Sequence, residues 1–444
     1  MSRAVESDPP GSLSADGLGP ASVRERQPSG HARAPGDGTH RIRLAIIWPR
    51  FGPWHHARLR AAARLLDLTG IEMSGEDNTY AWDKVPGSEG FHRVTLFPDC
   101  DCDTRPGSEV GARLTAILDE IKPEVLVIPS WGENYAHAAL AWSMTTATPN
   151  VVVSDSNYHD KRRRWWIESL KRRLVRYSQA GMVPSKEERT YLEVLGMPKE
   201  RVFAGYDVVD NDHFARGSAE ARRDAARVRA ELRLPEHFFL ASARFVPKKN
   251  LPRLLEAFAQ YRQLSGPEAW DLVLLGDGAL RPELQAQRDA LLLGGNISMP
   301  GFKQYGELPA YYGLAQAFIL PSTEEQWGLV VNEAMACGLP VLVSKRCGCA
   351  RTLVRERVNG FTFDPLDTQG LARLMLKLSS GEMDLSAMGR ASLEIISHWT
   401  PDTFADNLLK AAECALSQPR PRAGVFDSLL ISALIGVPRG HKGW

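Results

Sequence analysis

From residue 41 onward, short apolar runs alternate with longer stretches in which apolar residues recur every three or four positions. The short runs are typical of strands buried on both faces, and the longer stretches of helices that cover them. In the first half of the chain the pattern predicts strands at 42–48, 94–97, 125–128, 151–154, 180–183 and 202–206, and helices at 54–68, 108–121, 134–146, 163–177 and 186–195. This alternation predicts a parallel, doubly wound α/β domain over 41–210.

A second alternation follows a charged, helical connector at 215–236. It predicts strands at 238–243, 272–275, 297–299, 317–320, 341–343 and 361–363, with helices between them at positions that include 250–263 and 307–314. The second doubly wound domain is therefore expected over 211–385. Ligands of open α/β sheets bind at the carboxyl ends of the strands, so sites are expected there in both domains.

The segments that flank the two domains differ in character. Residues 1–40 are rich in Ser, Gly, Pro and Arg without apolar periodicity, which predicts a disordered tail. Helices are expected over 386–417, and the last begins near Trp399-Thr-Pro401. The final stretch, 418–444, contains an apolar segment that is too short to span a bilayer, and it either docks on the body or touches a membrane surface.

Composition narrows the class of protein. The chain has 444 residues, 43% of them hydrophobic and 24% charged, which fits two or three globular domains. Its net charge of +1 argues against a general nucleic-acid binder. The six cysteines form no zinc-type pattern, and no apolar leader or long apolar run occurs. We therefore expect a cytoplasmic protein, with peripheral contact at the inner membrane face as an option.

One stretch after the predicted strand 317–320 carries the chemistry. The strand stops at Pro321-Ser322, a short loop contains Glu325, and a helix starts after Gly328 with Glu333 about a turn and a half inside. The free N–H groups and positive dipole end of such a helix suit a phosphate. Carboxylates accept paired hydrogen bonds from sugar hydroxyls, so the loop and helix together predict a sugar-nucleotide site.

The spacing of Glu325 and Glu333, within E-Q-W-G-L-V-V-N-E-A-M-A-C-G-L-P-V, resembles the E-x7-E signature of the retaining family 4 glycosyltransferases of the GT-B fold. An isolated pair of this kind would be an ordinary solvated helix face, but the surrounding W-G-L, A-C-G-L-P-V and N-G-F-T-F make the match specific. The resemblance implies two Rossmann-like domains that face each other across a cleft, and a C-terminal helix that crosses back to the first. It also implies a nucleotide-diphosphate sugar, UDP or GDP being expected, as co-substrate, with no metal and no other cofactor.

The family's donor-site residues can be carried over where the motifs match. Arg244 and Lys249 would hold the diphosphate, and Lys248 is the alternative to Lys249. Without the resemblance, the same residues would be interpreted as a basic turn exposed to solvent. Glu333 would bind the ribose and Glu325 the donor sugar. The remaining donor positions implied by the resemblance are Gly52, Gly276, Gly278, Phe302, Gly328 and Leu329.

The first domain matches the family less closely. His137, in an H-A-x-L-A segment, resembles the histidine that approaches the donor sugar in retaining GT-B enzymes. A lone helical histidine is more often structural, and its position just after the carboxyl end of a strand is what favours the functional role. Asp155, at the end of a predicted strand, is a weaker acceptor-site candidate. Residues 161–176 form a basic helix with Trp166, Leu170 and Leu174 in one stripe. Two interpretations stay open. The stripe packs on the sheet while the basic residues face water, or the helix forms a basic surface that binds anionic lipid.

The expected function is a retaining transferase that moves a hexose-type sugar to a glycan, lipid-linked or small-molecule acceptor, as in polysaccharide or glycolipid biosynthesis. Two alternatives stay open. A GT-B epimerase or phosphorylase would use the same cleft without a sugar acceptor. A non-catalytic scaffold would bind sugar nucleotides without turning them over.

Overall fold

The computed structural model describes residues 40–76, 83, 85, 87, 90–158, 163–422 and 424–436. The predicted disordered tail lies outside these ranges apart from His40, as do residues 161 and 162 of the basic helix. Within the described residues the chain forms two parallel β-sheets, and helices cover both faces of each. The predicted α/β architecture of two doubly wound sheets is confirmed.

Seven parallel strands form the first sheet, in the order β3-β2-β1-β4-β5-β6-β7. The strands are β1 (Arg43–Trp48), β2 (Asp67–Ser74), β3 (His92–Phe97), β4 (Val125–Pro129), β5 (Asn150–Val153), β6 (Ala180–Val183) and β7 (Val202–Ala204). The helices are α1 (Pro53–Ala62), α2 (Gly107–Ile121), α3 (Asn134–Thr146), α4 (Trp165–Val175) and α5 (Lys186–Val194). The strand order reverses between β1 and β4, so their carboxyl ends form a crevice.

Six parallel strands form the second sheet, in the order β10-β9-β8-β11-β12-β13. They are β8 (Phe238–Ser242), β9 (Asp271–Leu275), β10 (Ile297–Gly301), β11 (Ala317–Leu320), β12 (Val341–Ser344) and β13 (Gly360–Phe363). The helices are α6 (Asn211–Arg223), α7 (Ala225–Leu232), α8 (Leu251–Ser265), α9 (Arg281–Ala290), α10 (Leu308–Leu314), α11 (Leu329–Ala336), α12 (Ala350–Leu353), α13 (Thr368–Ser379), α14 (Leu385–Ile396), α15 (Pro401–Ser417) and α16 (Val425–Ile435). Here the order reverses between β8 and β11.

Strand β2 corrects the sequence analysis, which extends the first helix to residue 68 and places no strand after it. The helix ends at Ala62, and β2 lies parallel to β1 in the sheet interior. Glu72 in β2 is 1% exposed, and its carboxylate accepts hydrogen bonds from the Phe51 N–H at 2.8 Å, the Thr95 hydroxyl at 2.9 Å and the Arg93 guanidinium at 2.8 Å. A buried carboxylate with its partners breaks the apolar pattern that predicts strands.

The last helices divide between the two sheets. Helix α14 packs against α11 of the second domain, and its Ser392 hydroxyl donates to the carbonyl of Leu339 at 2.7 Å. Helix α15 is capped by the Thr400 side chain and buries Phe404 and Leu408 in the core of the first sheet, where it packs along α1, β5, β6 and β7. The expected C-terminal helix that crosses back to the first sheet is therefore confirmed as α15.

Two chain segments connect the sheets, and hydrogen bonds hold both in place. In the first, Arg58 of α1 donates to the Val208 carbonyl at 3.1 Å and pairs with the Asp207 carboxylate at 3.2 Å. From the other side, the Asn332 amide of α11 donates to the Asp207 carbonyl at 3.1 Å. The Asn211 amide then donates to the carbonyls of Ile396 and Trp399, at 3.0 and 3.1 Å. The second connection, between α14 and α15, thus lies beside the first.

The apolar stripe predicted for the basic helix is only partly correct. Leu174 is buried and Leu170 packs against the same core, but the side of α4 that faces the protein also includes Ile167. Trp166 is 49% exposed instead. At about 100° per residue, Ile167 lies about 20° from Leu174 around the helix and Trp166 about 80° from it, so Leu170 lies at the edge of the buried side and Trp166 lies outside it.

No helix within the described ranges combines the length and the apolar character that crossing a bilayer requires.

Candidate active site

A cavity of about 710 Å³ lies where the carboxyl ends of the two sheets face each other. Residues from both sheets line it. The first sheet contributes Trp54, Asp155 and Asp207. The second contributes Ser242, Ala243, Arg244, Val246, Lys249, Leu275, Gly276, Asp277, Gly278, Phe302, Lys303, Leu308, Glu325, Gln326, Trp327, Gly328, Leu329, Val330 and Glu333. Most of the donor positions expected from the sequence therefore meet in one place.

The loops after β8 and β11 bring charged side chains of opposite sign together. Lys249 forms an ion pair with Glu325 through its Nζ and Oε2, and the Ser322 hydroxyl donates to the same oxygen at 3.3 Å. Arg244 lines the cavity from the end of β8. Lys248 does not line it, and its carbonyl accepts a hydrogen bond from the Thr323 N–H at 2.8 Å. Of the two neighbouring lysines, the structure thus places Lys249 at the cavity.

Helix α11 presents its N-terminus to the cavity. Gly328 precedes it with φ of 110°, a conformation that favours glycine, and Gly328, Leu329 and Val330 all line the cavity. The first N–H groups of a helix have no partner within it, and the helix dipole makes this end positive. The site therefore offers an anion both main-chain donors and a favourable field, in addition to the side chain of Arg244.

Glu333 projects from the second turn of α11 and is 2% exposed. The Tyr312 hydroxyl donates to its Oε2 at 2.8 Å. Burial raises the pKa of the Glu333 carboxyl to about 8, and the Tyr312 hydrogen bond offsets part of that rise. At neutral pH the group therefore holds a proton most of the time, and it can both donate and accept hydrogen bonds.

The turn after β9 needs glycine for a steric reason. Gly276 has φ of 121°, and a Cβ there would lie 1.8 Å from the carbonyl oxygen of Ala243. Gly278 has φ of 149°, and its Cβ would lie 2.8 Å from the carbonyl oxygen of Phe245. The two turns, after β8 and β9, thus pack backbone against backbone and form one wall of the cavity, with Phe302 nearby at the end of β10.

Asp207 is a cavity residue that the sequence analysis misses. It follows β7, is 5% exposed, and pairs with Arg58. Burial and the negative charge of Asp155 together raise the pKa of the Asp207 carboxyl to about 7, although the positive charge of Arg58 opposes them. Its position after the last strand of the first sheet could have identified it, because side chains at carboxyl ends of parallel strands meet at one edge.

Two of the predicted residues are not brought to the cavity. His137 is 1% exposed inside the first sheet's layer, and its Nε2 lies 2.9 Å from the carbonyl oxygen of Trp131. It borders a small internal space with Ile128 and Leu140. Gly52 caps α1, and its N–H donates to His55 Nδ1 at 3.0 Å. Trp54, two residues later, is the part of this loop that lines the cavity.

The described residues contain one grouping of three potential metal ligands, and it is not at the cavity. Asp101, Cys102 and Asp103 form it, and the Asp101 carboxylate accepts the Asp103 N–H at 2.9 Å as in an ordinary turn. All six cysteines lie in the described part of the chain, and none of them forms a disulfide. Burial raises the pKa of the Cys347 and Cys349 thiols, so these neighbours of Glu325 are poor nucleophiles.

Replacing Glu333 by glutamine is expected to change how stability depends on pH. The native pKa of about 8 lies above the unfolded value of 4.5, so the native state binds the extra proton between these values. Wild-type stability should therefore fall as pH rises through this window, by roughly 1.4 kcal/mol per pH unit at most. Glu333→Gln, which can still accept from Tyr312, should be more stable than wild type at pH 8 and equal to it near pH 4.5.

Urea unfolding midpoints at pH 4.5, 6 and 8 measure this difference. Glu256→Gln, on the exposed face of α8, is the matched control and should follow wild type at every pH. A Glu333→Gln variant that gains nothing over wild type at pH 8 would contradict the buried, protonated state.

Two facing Rossmann-like sheets with a cavity between them are the arrangement of the GT-B class. Residues 222–394 match the family model described as "Glycosyl transferases group 1". A D-inositol 3-phosphate glycosyltransferase from Segniliparus rotundus is 30% identical over 417 residues, which cover 84% of this chain and 89% of that protein. The chain belongs to the group 1 glycosyl transferases, and the expected activity class is confirmed.

Other relatives match over shorter regions. A probable sucrose-phosphate synthase from Solanum tuberosum is 31% identical over 206 residues, 42% of this chain and 19% of that protein. The chain spans between 19% and 57% of the length of this and three further curated relatives.

Solved structures support the fold. HepE from Anabaena, in complex with UDP, superimposes with a TM-score of 0.65 at 17% identity, over 83% of this chain and 99% of that one. The same protein has also been crystallised with UDP-glucose. Sucrose-phosphate synthase from Thermosynechococcus elongatus superimposes with a TM-score of 0.65 at 18% identity, over 83% of this chain and 97% of that one.

Proposed function

We propose that this protein is a retaining glycosyltransferase that transfers a hexose from a nucleotide-diphosphate sugar. The observation that carries the proposal is the convergence of Arg244, Lys249, Glu325 and Glu333 on one cavity beside the N-terminus of α11. Two cations and a helix N-terminus suit a diphosphate, and two carboxyl groups suit the hydroxyls of the ribose and the sugar. UDP is favoured over GDP because HepE, which shares the fold, binds UDP.

The residues have separate roles in this proposal. Arg244, Lys249 and the first N–H groups of α11 stabilise the negative charge that develops on the diphosphate as the sugar C1–O bond breaks. Glu333 binds the ribose hydroxyls. Glu325, held by Lys249, binds the donor sugar. The turn at Gly276 and Gly278 and the side chain of Phe302 border the nucleoside.

The acceptor binds on the side of the first sheet in this proposal. Asp155 and Asp207 are the carboxyl groups that the first sheet brings to the cavity, and they suit an acceptor hydroxyl. The acceptor oxygen forms its bond to C1 on the face that the diphosphate leaves, and the hydroxyl proton passes to the departing phosphate oxygen. Residues 41–210 thus serve the acceptor, which is a glycan, a lipid-linked sugar or a small molecule, and residues 211–385 serve the donor.

A thermal-shift screen against UDP-, GDP- and ADP-sugars tests the donor. A ligand present at 100 times its dissociation constant stabilises the fold by about 2.7 kcal/mol, so the midpoint should rise with one nucleotide and not with the others. Lys248→Ala, which leaves the cavity lining intact, is the matched control and should keep the shift. If no nucleotide sugar moves the wild-type midpoint at millimolar concentration, the donor assignment is wrong.

Product analysis separates transfer from the alternatives. Incubation of the protein with the identified UDP- or GDP-sugar should release nucleoside diphosphate, faster when a sugar acceptor is present. An epimerase would convert the sugar nucleotide without releasing its diphosphate. A phosphorylase would require inorganic phosphate, and a scaffold would bind the donor without any turnover.

A further inference from the structure

Helix α4 presents an unusual outer face. Trp165 is 82% exposed and Trp166 is 49% exposed, at the start of the helix. Arg164, Arg172 and Arg176 are also exposed. At about 100° per residue, Trp165, Arg172 and Arg176 lie on one face, opposite the buried Ile167 and Leu174, while Arg164 precedes the helix as its N-cap. Large aromatic side chains are seldom left so exposed, because burying one contributes about 1.5–3 kcal/mol or more.

Helix α16 extends this face with aliphatic and aromatic side chains. Ile431 and Leu434 are buried against the core of the first sheet. On the opposite side, Val425 is 79% exposed, Phe426 62% and Leu429 66%. The helix is therefore apolar on both sides, and its outer side has no protein cover within the described residues. The sequence analysis gives this apolar segment two possible roles, docking on the protein body or contacting a membrane surface. The inner side of α16 serves the first role, and its outer side is available for the second.

The two helices are fixed beside each other. Asp427 of α16 is 4% exposed and pairs with Arg173 of α4 at 2.6 Å, while the Tyr177 hydroxyl donates to its other oxygen at 2.5 Å. The Arg173 guanidinium also lies 4.7 Å from the centre of the Phe426 ring. Exposed residues of α4 and α16 therefore form one surface, here called the α4–α16 face.

The charges on the α4–α16 face are predominantly positive. Each helix contains one carboxylate, Glu168 in α4 and Asp427 in α16, and both are engaged. Glu168 pairs with Lys171 at 3.2 Å and accepts the Tyr191 hydroxyl at 2.8 Å. Asp427 is shared by Arg173 at 2.6 Å and Arg176 at 3.4 Å, so one carboxylate faces two arginines. Arg164 and Arg172 are exposed beside them, and Arg420 and Arg422 are exposed in the linker before α16, so basic groups outnumber acidic ones in these segments.

We propose that the α4–α16 face binds the surface of an anionic lipid membrane. Tryptophan and phenylalanine suit the boundary between head groups and acyl chains, and each arginine is attracted to acidic head groups. A second copy of this chain fits less well, because the same face would bring arginines against arginines. The inference is independent of the proposed donor chemistry, because these helices lie outside the cavity-lining set.

Co-sedimentation with vesicles tests the proposal directly. Vesicles of phosphatidylcholine with 0, 20 or 40% phosphatidylglycerol are mixed with the full chain at 0.05 and 0.5 M NaCl. Bound protein should increase with the acidic lipid and fall at the higher salt, because the Debye length shortens from roughly 14 Å to about 4 Å. Absence of binding to 40% phosphatidylglycerol at low salt would overturn the proposal.

Two surface variants separate the apolar and charged contributions. Trp165→Ser with Trp166→Ser, and Arg164→Glu with Arg172→Glu, should each weaken the partition coefficient by about tenfold or more. The matched controls are Leu264→Ser on α8 and the pair Arg223→Glu with Arg390→Glu on α6 and α14, all exposed and away from this face. Equal binding by the α4 variants and the controls would contradict the inference.

Hydrogen exchange of the unmodified protein covers the case in which a variant fails to fold. Adding anionic vesicles should slow exchange in 164–176 and 425–435 and leave α8 and α9 unchanged. Unchanged exchange in both helices would overturn the proposal. A second outcome would also overturn it. In that outcome light scattering without lipid detects a concentration-dependent dimer, the double variant Trp165→Ser, Trp166→Ser abolishes the dimer, and vesicles bind neither protein. In that case the face is a contact between copies.

Discussion

Replacing Arg244 by alanine is expected to lower the rate of glycosyl transfer by about a hundredfold or more. The guanidinium lines the cavity at the end of β8, across from the N-terminus of α11. A preorganised positive group at the leaving diphosphate stabilises charge that grows only in the transition state, and loss of one such group typically costs 10²–10³ in rate. Because that charge is partly present in the bound donor, donor affinity should fall less than turnover.

Initial rates of nucleoside diphosphate release at saturating donor and acceptor provide the measurement. Arg244→Lys should restore part of the activity, since lysine keeps the charge but not the planar, paired donors. Lys249→Ala should act in the same direction, with the added effect of leaving Glu325 without its ion-pair partner. Arg288→Ala on α9 and Lys248→Ala are controls. If Lys248→Ala lowered the rate and Lys249→Ala did not, Lys248 would be the lysine that holds the diphosphate, and the assignment to Lys249 would be wrong.

Replacing Glu333 by alanine is expected to weaken binding of the nucleoside diphosphate itself by about tenfold or more. A hydrogen bond to a buried polar partner contributes 0.5–3 kcal/mol, and a ribose offers two neighbouring hydroxyls. Glu325→Ala should give the opposite pattern, in which affinity for UDP is kept and transfer is slowed, because its role in the proposal is at the sugar.

Isothermal titration with UDP alone distinguishes these variants. Tyr312→Phe is the control, because it removes the 2.8 Å hydrogen bond to Glu333 while keeping the carboxyl in place. It should therefore reduce affinity less than Glu333→Ala does. If both Glu variants bind UDP as wild type does, Glu333 does not hold the ribose.

Apolar periodicity was sufficient to predict most of the architecture. Strands such as β4 and β11 are continuous apolar runs because both faces of a parallel sheet are covered, and such runs are visible in a single sequence. Strand β2 was not visible, since Glu72 occupies an interior position and its hydrogen-bond partners, Arg93 and Thr95, belong to another strand. A buried polar network is a tertiary property that periodicity does not encode.

The candidate site was predictable where side chains follow strand ends in motifs. Glu325 and Glu333 meet at one cavity because β11, its loop and α11 are consecutive. The position of His137 after a strand end suggested a place in the site, but that position alone does not fix the direction of the side chain. One helical turn decides whether a side chain faces the cleft or the core, and here His137 faces the core. Asp207 depends on Arg58, about 150 residues away, so only the fold reveals the pair.

The paired connections between the sheets have a mechanical consequence. Arg58 and Asn332 grip the segment around Asp207 from opposite sides, and Asn211 ties it to the carbonyls of Ile396 and Trp399 on the return segment. Two tethers placed side by side define one axis, and rotation about it is the motion that keeps all these hydrogen bonds. We expect the two domains to open and close by hinge rotation about this axis, because sliding or twisting would break the hydrogen bonds of the connecting segments. In the proposed function we therefore expect the sugar-nucleotide donor to enter, and its diphosphate to leave, through this one rotation.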